Sequence, residues 1–151
     1  MKTFVIGIVA MLLTACANNT NPTPNAKSYL MEEGYTYEDV KSDLSLQEIE
    51  KPLEVLLNRC YRSYSVTTGY ATSKNITFTI IKEPVQQGQE YWINQSVEND
   101  GNFYLLHILV KETDNNDGVI LSPTVIHRMG NIGVDQLHDI AVGRTPSCPT
   151  F

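Results

Sequence analysis

NFYLLHILVK, residues 102–111, is apolar at odd and even positions alike. Side chains alternate between the two faces of a strand, so this stretch is expected in the middle of a sheet with both faces covered. Outward from it the pattern loosens step by step. On the N-terminal side, END at 98–100 followed by Gly101 and Asn102 has turn chemistry. Before the turn, EYWINQSV at 90–97 alternates, with Tyr91, Ile93 and Val97 on one face and Trp92, Asn94 and Ser96 on the other. NITFTIIK at 75–82 does the same, setting Ile76, Phe78 and Ile80 against Thr77 and Thr79, with Ile81 on the wetter face. YRSYSVTTGY at 61–70 fits a further strand. On the C-terminal side DNNDG turns the chain into GVILSPTVIHR, where Pro123 predicts an edge or a bulge because it has no amide to donate.

Helical spacing flanks this run of strands. Ser45 as N-cap, Glu48 as its capping-box partner and Leu44 opposite Ile49 as a staple mark a helix start. Ile49, Leu53, Leu56 and Cys60 then recur at helical intervals, and Pro52 predicts a kink or break because it cannot bond back to Glu48. Val134 to Val142 reads as a short helix stopped by Gly143, which suits a left-handed cap. The class is therefore α+β. A two-layer antiparallel sheet of four to five strands is expected to pack against an N-terminal helix and a short C-terminal helix, with the helices over one sheet face.

The first residues have another character. Lys2 precedes an apolar core from Phe4 to Leu13, and small residues lead on to Cys16 in the run Leu13-Thr14-Ala15-Cys16. These are the parts of an export signal, and ten apolar residues fall short of the roughly 20 that cross a bilayer as a helix. The closing cysteine resembles the lipobox of bacterial lipoproteins. That resemblance implies cleavage before Cys16 by signal peptidase II, diacylglycerol on its thiol and usually acylation of the new amine. At about 0.8 kcal/mol per buried methylene, two or three chains make a lasting anchor. It also implies placement in the outer membrane of a Gram-negative host, because Ala17 and Asn18 rather than an aspartate follow the cysteine, and the periplasmic face is the expected side. The expected organisation is a signal peptide at 1–15, a lipidated tether at 16–29 and one globular domain at 30–151. ANNTNPTPNAKS at 17–28 has no apolar periodicity and gives a mean reach of roughly 20 Å.

With Cys16 assigned to lipid, Cys60 and Cys148 remain, 88 positions apart, and an exported protein meets an oxidising compartment. One disulfide closing the domain is the expectation, since no Cys-x-x-Cys spacing points to redox or metal chemistry. The layout is similar to that of many small Gram-negative lipoproteins in which a helix-end cysteine pairs with one near the C-terminus, a likeness that implies no activity.

Without Lys2, ten basic residues face seventeen acidic ones, a balance of −7 that argues against nucleic acid or bare anionic lipid as partner. Most of the excess lies in Glu32, Glu33, Glu38, Asp39, Asp43, Glu48, Glu50 and Glu54, opposed only by Lys41 and Lys51. Such a run is either a solvated face that keeps the domain soluble or a docking face for a basic partner or divalent cations.

No motif carries catalysis. His107, His127 and His138 fall in different elements without the partners of an H-E-x-x-H zinc site, and there is neither a G-x-S-x-G elbow nor a phosphate-binding glycine loop. His107 reads as a core histidine, His138-Asp139 as a solvated pair and His127-Arg128 as a weak anion grip. DNNDG offers oxygen ligands, yet aligning Gly118 with the glycine of a calcium-binding EF-hand loop puts Thr113 and Thr124 where carboxylates are required, so it reads as a turn. Tyr61, Tyr64, Tyr70, Tyr91 and Trp92 supply either a stacking surface for glycan or peptide or ordinary sheet packing. The expected function is a membrane-anchored envelope lipoprotein acting as a non-enzymatic binding or assembly-accessory module, with no metal or cofactor. The alternatives are a small envelope hydrolase whose His107 or His127 finds partners only in the fold, and an acidic inhibitor of a basic cell-wall-degrading enzyme.

Overall fold

In chain order, the elements are α1 (Lys27–Glu33), β1 (Tyr35–Thr36), β2 (Val40–Ser42), α2 (Leu46–Cys60), β3 (Tyr64–Thr68), β4 (Thr72–Val85), β5 (Gly88–Val97), β6 (Gly101–Glu112), β7 (Val119–Val125), α3 (Arg128–Val134) and α4 (Leu137–Ala141). They come from a computed structural model that describes residues 25–68, 72–126 and 128–148. The class is α+β, as the periodicities predict, but the sheet has seven strands rather than four or five. Its order is β1-β7-β6-β5-β4-β3, with β2 also on β7, and every pairing is antiparallel.

The doubly apolar stretch becomes β6, an interior strand in which Leu105, Leu106, His107 and Ile108 are all buried. Its two faces meet different layers. Leu106, Ile108 and Val110 join Tyr91, Ile93, Val119 and Leu121 in a core completed by Ile49, Leu53, Leu56 and Leu57 of α2 and Leu137 and Ile140 of α4. The opposite face, which carries Trp92 and His107, lies under α1. Leu30 of that helix is fully buried, and Lys27 reaches over the Trp92 ring. The expectation that helices cover one face is thus corrected: α1 covers part of the other. Ile81, directly opposite Trp92 in the ladder, belongs to this second face, which explains why β4 does not alternate cleanly.

The start of α2 follows the sequence closely. Ser45 Oγ accepts from the Glu48 amide at 3.4 Å and the Ser45 amide donates to Glu48 Oε2 at 2.8 Å, closing the capping box. The Ser45 hydroxyl, which donates to Glu48 Oε2 at 2.7 Å, and then the Ser45 amide hold the Glu48 carboxyl below its usual range. Pro52 does not break the helix, which runs unbroken to Cys60. A helix-interior proline costs about 3 kcal/mol. Burial of Ile49, Leu53, Leu56 and Leu57 contributes about 1.5–3 kcal/mol for each side chain, enough to offset it.

Pro123 likewise does not end the sheet. Its carbonyl accepts from the Tyr37 amide at 3.0 Å, on the β1–β2 side. In an antiparallel ladder the N–H and C=O of one residue face the same neighbour. The amide that proline lacks is therefore missing towards β1 and β2 alone. β7 pairs without interruption with β6, while its outer partner splits into β1, opposite Thr124 and Val125, and β2, opposite Val119 to Leu121.

The expected helix at 134–142 is replaced by two, α3 and α4, separated at Asp135 and Gln136. Gly143 beyond α4 has φ 74°, the left-handed conformation its position calls for. The chain then runs to Cys148, which is bonded to Cys60 at the end of α2 with a Cα–Cα distance of 5.4 Å. Among the described residues no helix is long and apolar enough to cross a membrane.

Candidate functional site

Gly34 starts the segment that shapes the most distinctive surface. A β-carbon there would lie 2.2 Å from the Leu30 carbonyl oxygen and 2.8 Å from Thr124 Cγ2, so only glycine lets α1 turn this closely onto β7. The chain leaves as Tyr35-Thr36-Tyr37-Glu38. Residues two apart in extended chain share a side, and the rings of Tyr35 and Tyr37 meet edge to face with centroids 4.8 Å apart. The turn between α3 and α4 lies against them. Tyr35, Tyr37, Glu38 and Val40 from the sheet edge, and Val134, Asp135 and His138 from that turn, line a groove of about 330 Å³. Val40 and Val134 are buried at its base, whereas Tyr35, Glu38, Asp135 and His138 are exposed. The groove thus combines ring surface, an apolar floor and two carboxylates from separate elements.

The acidic segment divides by use. Glu48 caps α2, and Glu50 and Glu54 both reach Lys82, at 3.3 and 2.8 Å. These are fold residues. Glu32, Glu33, Glu38, Asp39 and Asp43 are exposed and make no ion pair or side-chain hydrogen bond among the described residues. They lie on or between α1, β1 and β2 and just after β2, and Glu38 alone of the five lines the groove. Among the described residues no group of three or more His, Cys, Asp or Glu side chains is placed to hold a metal ion. A second groove of about 360 Å³ on the outer side of α2 is lined by Lys51, Glu54, Val55, Asn58, Arg59 and Arg62, and is the more basic of the two.

His107 is buried, 4% exposed, and stacks on its cross-strand neighbour Trp92 with centroids 4.0 Å apart. Its Nε2 stands 3.5 Å from Glu90 Oε1, while Trp92 Nε1 donates to Glu90 Oε2 at 3.3 Å. Among the described residues neither ring nitrogen has a hydrogen-bond partner. Thr124 faces His107 from β7, and Lys27 approaches from α1, where it also pairs with Glu83. Burial pushes the imidazole below its ordinary value, Lys27 adds to that, and Glu90 opposes it. The sign follows directly. A folded-state value below the free value of 6.5 gives stability that is full above 6.5 and is lost as pH falls below it. The urea midpoint of the wild type is expected to fall between about pH 7.5 and 5.5, with a visibly smaller fall in His107→Gln. Equal pH slopes for the two proteins would place the titration elsewhere.

The aromatic positions singled out from the sequence do not form one surface. Tyr61 and Tyr91 are buried in the core under the helices, Trp92 is buried on the opposite face, and Tyr64 is partly exposed on β3, where it stacks on Phe78 at 6.1 Å. Packing rather than ligand contact accounts for the buried three. Asp139 pairs with Arg144 at 3.2 Å, and its neighbour His138 turns to the groove. In the 114–118 loop Thr113 Oγ1 donates to Asp117 Oδ1 at 2.6 Å and Asn116 has φ 55°, as a hairpin turn requires. Cys16, Tyr70 and His127 lie outside the described residues. Tyr35, Tyr37 and Asp135 are groove residues that periodicity does not reveal. The one signal for them is the spacing Tyr-x-Tyr-Glu at 35–38. No family model matches the chain, and no curated protein or solved structure matches it either.

Proposed function

We propose that this chain is a lipid-anchored envelope protein that serves as a non-enzymatic binding or assembly-accessory module. Cys16 holds it at the periplasmic face of the outer membrane, and the edge formed by α1, β1 and β2 docks a basic protein. The observation that carries this reading is the set of five exposed carboxylates, Glu32, Glu33, Glu38, Asp39 and Asp43, that stand unpaired among the described residues, with Glu38 lining a tyrosine-bearing groove. Unpaired surface charge of one sign steers a partner of the opposite sign and selects against others. The export signal and the Leu13-Thr14-Ala15-Cys16 run support the anchor. Inhibition of a basic cell-wall-degrading enzyme is one form of the same docking. The small-hydrolase reading is weakened because a general acid or base must reach its substrate, and His107 is sealed beneath Trp92 and α1.

A photo-activated crosslinking residue placed at Asp39 in living cells tests the docking face, with Thr67 on the opposite sheet edge as the control. The expected outcome is a basic envelope protein captured from Asp39 alone, with capture reduced by Glu32→Gln and Glu33→Gln. Equal capture from both positions, or none from Asp39, rejects this function.

A further inference from the structure

The fold places two of its own lysine ammonium groups in the same kind of setting. Lys27 Nζ stands 4.7 Å from the centre of the Trp92 ring and pairs with the Glu83 carboxylate. Lys82 Nζ stands 5.7 Å from the centre of the Tyr91 ring and pairs with both Glu50 and Glu54. In each case an aromatic face and one or two carboxylates from different elements share one ammonium. The groove at the sheet edge repeats this combination, with Tyr35 and Tyr37 supplying rings and Glu38 and Asp135 supplying carboxylates. Here, however, no lysine or arginine is among the described lining residues.

We infer that this groove binds the side chain of a lysine presented by the docking partner, the ammonium meeting Glu38, Asp135 and the Tyr35 ring while the aliphatic stem lies on Val40, Val134 and Tyr37. Three features favour lysine. Val40 and Val134 are 5% and 7% exposed at the base, a dry floor for methylenes that snorkelling side chains use. The two carboxylates come from opposite walls, β1–β2 and α3–α4. That separation suits a compact ammonium with three divergent donors, whereas a guanidinium fork prefers one carboxylate gripped by two parallel bonds. An anion would meet two carboxylates and the negative ring faces, so phosphate or an acidic peptide is excluded by charge. The assignment rests on the docking reading above and adds the chemistry of the contact.

The test uses the full acylated chain in detergent micelles and a fluorescent heptapeptide carrying three lysines, read by anisotropy at low salt. Acetylating the lysines is expected to weaken binding at least about tenfold, and replacing them with arginine about threefold. Glu38→Gln with Asp135→Asn should cost about tenfold, and Tyr35→Ala about threefold, the range expected for an exposed ring-cation contact. Tyr35→Phe, which keeps the ring, should bind within about a factor of two of the wild type. Asp39→Asn with Asp43→Asn removes the same charge outside the groove and is expected to matter little. Equal weakening by the two double variants, no effect of Tyr35→Ala, or arginine binding as tightly as lysine would overturn the assignment. If crosslinking from Asp39 persists while the peptide does not bind, docking stands and the lysine pocket falls. If the peptide binds in the groove while Asp39 captures nothing, the pocket stands and the docking function falls.

Discussion

Replacing Cys60 and Cys148 together with serine is expected to lower the stability of the domain by about 4 kcal/mol. Closing a loop of 88 residues restricts the unfolded chain by about 4.6 kcal/mol in the chain-entropy model, and measured losses for small exported domains run from about 2 to 5. The figure falls near the upper end because, apart from the burial of Pro146, few hydrogen bonds fasten the segment that ends at Cys148. Among the described residues its hydrogen bonds beyond Gly143 are the Arg144 amide to the Asp139 carbonyl, the Arg144 guanidinium to the Asp139 carboxylate and the Ser147 amide to Gln136 Oε1. Trp92 is the single tryptophan and is buried, so its fluorescence during urea unfolding reports the change. Reductant should move the wild-type midpoint to that of the double variant and leave the variant unmoved. A double variant within about 1 kcal/mol of the oxidised wild type would mean that the terminal segment holds without the bond.

Leu106→Ala is expected to cost about 3–5 kcal/mol, the upper part of the range for truncating a buried leucine. Leu106 is fully buried and sits in register between Ile93 of β5 and Val125 of β7. The cost depends on whether neighbours can move into the space. Above Leu106 lies Gly133 of α3, where a β-carbon would come 2.9 Å from Leu106 Cδ2 and 3.2 Å from the Tyr61 hydroxyl. A glycine has no side chain to lean into the void, and α3 is also held by the Tyr61 hydroxyl donating to the Gly130 carbonyl at 3.0 Å. The same geometry provides a double-mutant cycle. Gly133→Ala alone should destabilise, whereas adding it to Leu106→Ala should recover part of the loss, a coupling visible in urea midpoints. Strict additivity of the two changes would show that they do not share that space.

What the sequence revealed follows from how many residues each feature spans. β4 and β5, with ten residues or more, repeat their alternation often enough to be read, β6 is long enough for its apolar run on both faces to show, and the capping box of α2 names its own position through Ser45 and Glu48. β1 and β2 have two and three residues, too few for any period, and they exist because β7 presents an edge to them. α1 is a helix of seven residues with one buried side chain, Leu30, and no side-chain N-cap, so nothing local announces it. Proline misled twice, and for related reasons. At Pro52 the missing amide is a local loss that packing with residues far away in the chain overrides, and at Pro123 it is missing only towards the side where β1 and β2 part, a direction set by the pairing of β7. The groove was harder still. Tyr35 and Asp135 are a hundred positions apart, and only the placing of α3 and α4 against the sheet edge joins them. The acidic run was visible as a count of charges. Which carboxylates the fold uses, Glu48, Glu50 and Glu54, depends on Ser45 and Lys82 and so on coordinates.

Covering of the second sheet face by α1 has a mechanical consequence. Under the proposed anchoring, a partner gripped at the groove and a lipid held at Cys16 define the two ends of a load path, and whatever passes through Tyr35 and Glu38 reaches the lipid by way of residues 17–34. A pull on the partner is therefore resisted first by the seating of α1, through Leu30, Gly34 and the Lys27–Glu83 pair. The strands from β3 to β6 lie off the line of tension. On that route α1 is the element placed to yield before the ladder from β3 to β6 does.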